Sequence, residues 1–334
     1  MRVLLVAAAL LAALTPISAT RQMTRVDISL GDVSINKVPQ LVAADQGLYA
    51  KHGVDARLTI SEGAARTAAG SGVVVPDAFV NRDPERRAPI EVGGGSPMIY
   101  GFVNNARGPA RVIVMTQEDV VMGHIVGKAE IAGIQGLKGK RLGFTGVGSV
   151  THFSALSLAK RLGWNPERDI TLVAGGARLD ALKQDKVDAI VASVMTIALG
   201  PQAGYKDIGD LSGYKIPMAG SGIMVDKAYL AANRDTVLRV LKADLEATAL
   251  MQRDRKVFNA ALAKWFNITD ATTQDGMFAY VKKFRKKPYP SVEGIRAVMS
   301  LYDSPGMRNH KPEDFYDSTL MADLDKSGFL DTLK

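Results

Sequence analysis

Short apolar runs that alternate with stretches of helical period constrain this chain more than any single motif in it. Residues 26–30 read as a first strand, and residues 39–50 follow as a helix in which Leu41, Val42, Ala44, Leu48 and Tyr49 recur at steps of three and four. Gly53 ends that helix, and residues 54–60 alternate as a second strand. Further strands are expected at 111–115, 121–126, 141–144, 171–173 and 187–191, with helices opening at Ser149 and covering 179–185. This β-α-β-α order builds an α/β fold, a mostly parallel sheet covered on both faces. After about residue 222 the chain turns helical, at 229–253, 255–266, 277–284 and 292–301. Such a tail must pack back on the α/β part, most simply on its first half. Residues 63–87 combine many breakers with no period and are expected as a loop or a poorly ordered insertion.

The N-terminus sets the compartment. Arg2 precedes an apolar run from Val3 to Leu14, then Thr15, Pro16, Ser18, Ala19 and Thr20. A charged start, a short apolar core and small residues make a secretory signal peptide, expected over residues 1–19. The run falls short of the roughly 20 residues a membrane-spanning helix needs. Cysteine is absent, which removes disulfides, thiolate metal sites, cysteine nucleophiles and the cysteine of a lipid anchor. The expectation is a secreted, soluble periplasmic protein of about 315 residues, enough for two lobes with cores of their own. The formal charge of +8 favours anions modestly. Its basic residues are scattered, save for Lys282, Lys283, Arg285, Lys286 and Lys287, which read as a solvated helix end. Nucleic acid is not expected as a partner.

In an open parallel sheet, ligands bind beyond the carboxyl ends of the strands. Four turns qualify. After the first strand, Ser34 and Asn36 precede Pro39; Asn36 either faces a ligand or caps the helix, and the two roles are compatible. Gly93, Gly94 and Gly95 let backbone approach a bound group, and Ser96-Pro97 reads as a helix cap and first turn. The turn from Thr145 to His152 carries Gly146, Gly148, Ser149 and Thr151 at a helix start, where free amides and the helix dipole attract an anion. It fits neither the phosphate loop nor the dinucleotide fingerprint. The fourth turn holds Ser193, and Gly220-Ser221-Gly222 adds a polar group nearby. His52, His124, His152 and His310 are scattered and form no metal spacing. No catalytic residue, metal or cofactor is expected, although His152 lies in a candidate ligand turn.

These segments resemble the alkanesulfonate/nitrate/taurine-type substrate-binding proteins of ABC importers, relatives of thiamine-pyrimidine synthases. The resemblance rests on Val38-Pro39 with Val42-Ala43, Gly47-Leu48-Tyr49 and Gly53-Val54; on Gly136-Leu137-Lys138-Gly139-Lys140-Arg141-Leu142-Gly143 with Gly148-Ser149; and on Leu179, Leu182 and Val187-Asp188-Ala189. It implies a type 2 periplasmic binding protein fold: two α/β lobes joined by a two-strand hinge near Asp119-Val120 and residues 213–216. Lobe 1 would comprise residues 20–119 and 215–334, and lobe 2 residues 120–214. By position it places Ser34, Asn36, Gly95, Ser96, Ser149, Thr151 and Ser193 near the cleft. It implies a monomeric binding protein, not an enzyme, that hands a small-molecule ligand to an ABC importer permease. The stretch 63–87 replaces an acidic element common in that family, and Asp185 stands where glycine is common. A small organic anion, a sulfonate or carboxylate, is the expected ligand, with Arg178 the nearest candidate for charge pairing. A neutral pyrimidine-type thiamine precursor is the alternative, although no aromatic residue falls within the four turns. A thiamine-pyrimidine synthase-like enzyme is disfavoured by the signal peptide and the lack of cysteine.

Overall fold

The structure is a computed structural model that describes residues 23–333 except 70–72, 84, 106–109, 193–195 and 198–199. The expected signal peptide and Ser193 lie outside the described residues.

Two mixed sheets organise the chain. The first contains β1 (Thr24–Leu30), β2 (Val54–Ser61), β3 (Val80–Asn81), β4 (Ile90–Gly94), β5 (Arg111–Thr116) and β11 (Ser221–Asp226), in the order β3-β2-β1-β4-β11-β5. The second contains β6 (His124–Gly127), β7 (Arg141–Phe144), β8 (Thr171–Ala174), β9 (Ala189–Ala192) and β10 (Lys206–Asp210), in the order β10-β6-β9-β7-β8. Pairing from β3 to β4 is parallel, while β11 runs antiparallel between β4 and β5. In the second sheet β7 pairs in parallel with β8 and β9, and β6 pairs antiparallel with β9 and β10. The expected parallel sheet is therefore mixed, because the chain re-enters each sheet from the other.

Local chemistry accounts for the element ends. The helix expected over 39–50 divides into Val38–Asp45 and Leu48–Lys51, because Gly47 takes a left-handed φ of 65° that interrupts the hydrogen-bond ladder. The helix after β7 spans Val150–Arg161 with Ser149 as its N-cap. Gly93 and Gly94, expected in a turn, instead belong to β4, and β3, β4, β10 and β11 had no counterpart in the sequence reading. Residues 63–87 are more structured than expected, with a helix at Glu62–Ala69 and the short β3.

The helical tail packs on the first sheet. Val240, Leu241, Phe258, Leu262 and Met277 share one apolar cluster with Val26 and Ile28. A second cluster joins the sheets: Ile125, Leu142 and Phe153 pack with Ile99, Ile113, Ile295 and Val298. The chain crosses between sheets twice, and the crossings pair with each other. The amide of Gln117 donates to Ser221 O at 2.8 Å, that of Met218 to Asp119 O at 2.8 Å, and that of Val121 to Ile216 O at 2.9 Å. This pairing takes Val121 out of the expected strand, which begins only at His124.

Candidate functional site

The turn that follows β1 builds the first group. Ser34 is extended and donates its hydroxyl to Asp32 Oδ1 at 2.8 Å, and a short 3-10 turn, Ile35–Lys37, brings Lys37 inward. The Lys37 side chain is 4% exposed, so its ammonium needs partners inside the protein. It has three: Asp32 Oδ1 at 2.9 Å, Ser221 Oγ at 3.2 Å and Ser34 Oγ at 3.5 Å. Partial desolvation would raise the pKa of Asp32, but the charge and hydrogen bond of Lys37, helped by Ser34, hold it below the ordinary carboxylate value.

Beside this group Asn36 Nδ2 donates to Glu118 Oε2 at 3.4 Å, and the Tyr280 hydroxyl donates to Glu118 Oε1. Glu118 lies on the first crossing strand and is buried. Burial pushes its carboxyl upward, although the Tyr280 hydroxyl and the Ser221 amide both favour the ionised form. The Tyr280 phenol is raised well above its usual value by burial and by the neighbouring acid. Asn36 Oδ1 is buried with no hydrogen-bond partner among the described residues.

The Thr145–His152 turn, after β7 in the second sheet, forms a second group, and it is largely self-satisfied. Thr145 donates its amide to Thr151 Oγ1 at 2.8 Å, and that hydroxyl donates to Thr145 Oγ1 at 3.0 Å. Ser149 Oγ accepts the amides of His152 at 3.1 Å and Gly146 at 3.4 Å, and shares a hydrogen bond with Thr151 Oγ1. Gly148 donates its amide to His152 Nδ1 at 3.1 Å, and the Tyr302 hydroxyl reaches the same nitrogen at 3.0 Å. The imidazole stacks on Phe144 with centroids 4.5 Å apart, and burial lowers its pKa. Side chains of this turn thus consume amides that the sequence reading left open to a ligand. The first two helical amides, of Val150 and Thr151, bond no described residue.

Three expectations need correction. The helix after β4 spans Gly95–Asn105, so Ser96 lies inside it and is not its cap. The Gly95 amide donates to Ala219 O and Gly220 O, each at 3.1 Å, and a Cβ there would lie 2.7 Å from Ala219 Cβ. Gly95 thus gives the second crossing strand close approach, and Gly94 gives it to Val150. Ser96 is fully buried, and its hydroxyl donates to Gly148 O at 3.3 Å, which closes one side between the sheets. Arg178 also stands apart: it is surface-exposed and paired with Asp180 at 3.2 Å.

The two groups meet through β4. Ser221, bonded to Lys37, pairs with Gly94, and a Cβ on Gly94 would lie 2.6 Å from Val150 Cγ2. Next to Lys37 and Asp32 opens a cavity of about 50 Å³ whose apolar lining includes Val33, Val75, Phe79, Trp265 and Phe266. The structure therefore brings aromatic side chains to a turn that has none of its own; Phe79 meets Trp265 edge-on at 5.0 Å. Of the sequence-selected residues, Ser34 and Asn36 gather in the first group, and Thr145, Ser149, Thr151 and His152 in the second. Lys37, Glu118 and Tyr280 were missed. Lys37 adjoins a selected residue, whereas nothing local marks Glu118 or Tyr280.

Known proteins share parts of this sequence and its fold. Residues 110–255 match the family model described as NMT1/THI5 like. A protein of Brachyspira hyodysenteriae (strain ATCC 49526 / WA1), named as an ABC transporter periplasmic binding protein, is 24% identical over 204 residues, 60% of this chain and 58% of that protein. The chain thus spans less than two thirds of that relative. Among solved structures, the periplasmic nitrate-binding protein NrtA from Synechocystis PCC 6803 superposes with a TM-score of 0.68 at 11% identity, covering 92% of this chain and 89% of that one. The alkanesulfonate-binding protein SsuA from Xanthomonas axonopodis pv. citri gives 0.62 at 16%, over 84% and 91%. The desulfurization enzyme DSZB gives 0.59 at 13%, over 91% and 99%. The chain has the periplasmic binding protein fold, a fold that serves binding and catalysis alike.

Proposed function

We propose that this protein is the soluble, periplasmic solute-binding component of an ABC importer. It captures a small organic anion of the sulfonate or carboxylate class between lobe 1 (residues 20–119 and 215–334) and lobe 2 (residues 120–214), and delivers it to a permease. The observation that carries the reading is the pairing of the two crossing strands, 117–121 with 216–221, where the chain passes between the two sheets. A two-strand crossing of this kind is a hinge on which two lobes close over a ligand. The anion class is supported by the amides of Val150 and Thr151, which bond no described residue at the start of a 12-residue helix, and by Lys37 on the first sheet's side. We assign no catalytic step to the cleft; His152 Nδ1 accepts the Gly148 amide and lies 3.0 Å from the Tyr302 hydroxyl, a packing role for this ring. A neutral nitrogen heterocycle of the pyrimidine class is the second reading, favoured by Asn36 Oδ1, a buried acceptor without a donor among the described residues.

The test is a melting-temperature panel on protein first unfolded and refolded to strip carried-over ligand. Alkanesulfonates, taurine, nitrate, aromatic carboxylates and pyrimidines form the panel. A ligand at 100 times its Kd adds about 2.7 kcal/mol, a shift of several degrees. A saturable shift with one compound class, reduced in Asn36→Ala, is the expected result; a panel without any shift counts against solute binding.

A further inference from the structure

Lys37 and Asp32 form an asymmetric ion pair. The lysine side chain is 4% exposed, while its counter-ion is 62% exposed and sits on the turn after β1. A buried ammonium must be paired, because desolvating it alone is costly. Nothing requires that its partner belong to the same molecule. Around the ammonium, Ser34 and Ser221 supply hydroxyls at 3.5 and 3.2 Å, so the position of the carboxylate is already framed by neutral polar groups. From this pair the small apolar cavity extends between Val33, Phe79, Trp265 and Phe266, with a volume of about 50 Å³. That is room for a short alkyl group, since one water occupies about 30 Å³ of liquid. A buried cation beside an apolar recess, paired with an exposed acid, matches the two ends of a short-chain organic acid.

We propose that Lys37 is the anion anchor of the cleft and that Asp32 is its intramolecular competitor. In the unliganded protein Asp32 occupies the position of the ligand acid. An incoming sulfonate or carboxylate displaces it to solvent and takes over the contacts with Lys37, Ser34 and Ser221, while its alkyl end fills the cavity. The inference rests on the solute-binding reading above and names the residues that set its specificity. Its consequence is a raised threshold. A tethered competitor lowers the population of open sites, and the apparent Kd rises by the same factor. Weak anions such as chloride are excluded, because only a ligand that also buries its alkyl group outcompetes the built-in carboxylate.

The test compares the full chain with Asp32→Asn and Lys37→Met, by calorimetric titration and melting temperature, against methane-, ethane- and propanesulfonate, acetate, propionate, butyrate and the neutral propionamide. Asp32→Asn is expected to melt lower without ligand, because Lys37 loses its counter-ion, yet to bind the best acid about tenfold more tightly or better. Lys37→Met should lose acid binding while propionamide affects none of the three proteins. Should Lys37→Met fail to fold, Ser221→Ala, expected to weaken acid binding severalfold, serves in its place. Equal acid affinity in the wild type and Asp32→Asn, or weaker binding in the variant, overturns the proposal and leaves solute binding standing. Saturable binding of pyrimidines alone does the same. Absence of binding by every compound, these and the wider panel, in both proteins overturns the solute-binding reading itself.

Discussion

At the residue scale the molecule buries titratable groups, and Asp244 shows what burial does to one of them. Asp244, on the Lys227–Arg253 helix, is fully buried; it accepts the Tyr49 hydroxyl at 2.6 Å on Oδ1, while Oδ2 has no partner among the described residues. Burial pushes its pKa up to about 7, against the lowering effect of Tyr49 and Gln40. The unfolded carboxyl ionises near its ordinary 3.8, so between about 4 and 7 the native state holds a proton that the unfolded state has released. The contribution of this group to stability is full below that window and is lost as pH rises through it. Asp244→Asn keeps an acceptor for Tyr49 and cannot ionise. It is expected to gain on the order of a few kcal/mol over the wild type at pH 8 and much less at pH 5, read from urea unfolding at the two pH values; an equal difference at both would refute the assignment. Sequence reasoning reached Tyr49 through its helical spacing but had no access to Asp244, which meets it only after the C-terminal tail folds back. The same limit explains the site. Ser149 was legible as the opening of a helix because the period that follows it is local, whereas Glu118 and Tyr280 meet Asn36 from distant segments.

At the element scale, glycine is where the sequence was most ambiguous, because one residue type serves ligand approach, backbone turning and chain packing. The run at 93–95 suggested the first, and the structure uses it for the last. Gly294 is the sharper case. The Val292–Leu301 helix lies against the second crossing strand so closely that a Cβ on Gly294 would sit 2.0 Å from Met218 C and 2.2 Å from Ala219 N. Neither atom can yield without moving the crossing itself. Gly294→Ala is therefore expected to destabilise the protein by about 3 kcal/mol, the upper end for overpacking. Gly276, in the Ala271–Val281 helix, has nothing within 4 Å of a Cβ. Gly276→Ala should stabilise by about 0.5–1 kcal/mol through helix propensity and the less flexible unfolded chain. Thermal melts of the two variants would move in opposite directions; a loss in both, or in neither, would mean that the helix does not bear on the crossing as described. The alternation of strand and helix was legible because it follows from hydrophobic period, which is local. Which strands would leave one sheet and re-enter the other was not, and β10 and β11 were missed for that reason.

At the scale of the whole molecule, the two sheets are joined by more than the crossings. The second apolar cluster runs from Phe153 and Leu142 into Ile99, Ile295 and Val298, and over it lies a polar contact around the Thr145–His152 turn. There His152 Nδ1 accepts from Gly148 and lies 3.0 Å from the Tyr302 hydroxyl, Ser96 donates to Gly148 O, and Tyr100 meets Tyr302 edge-on at 4.9 Å. This contact requires a neutral imidazole, since a protonated Nδ1 offers no acceptor. Burial lowers the pKa of His152, and its desolvated surroundings supply no charge that would offset the effect. A depressed histidine contributes stability that is present above its unfolded value of about 6.5 and is lost as pH falls through the folded value. Acid should thus loosen the joint between the sheets before it unfolds either. His152→Gln retains an acceptor oxygen but does not titrate. Between pH 7.5 and 5 the wild type should lose up to about 1 kcal/mol more than this variant. The difference between the two proteins is the informative quantity, because Glu118 and Asp244, with raised pKa values, push the stability of both in the opposite direction over the same interval. Parallel pH dependences in the two melts would place the acid response elsewhere; a flatter dependence in His152→Gln would make His152 the group through which pH reaches the hinge.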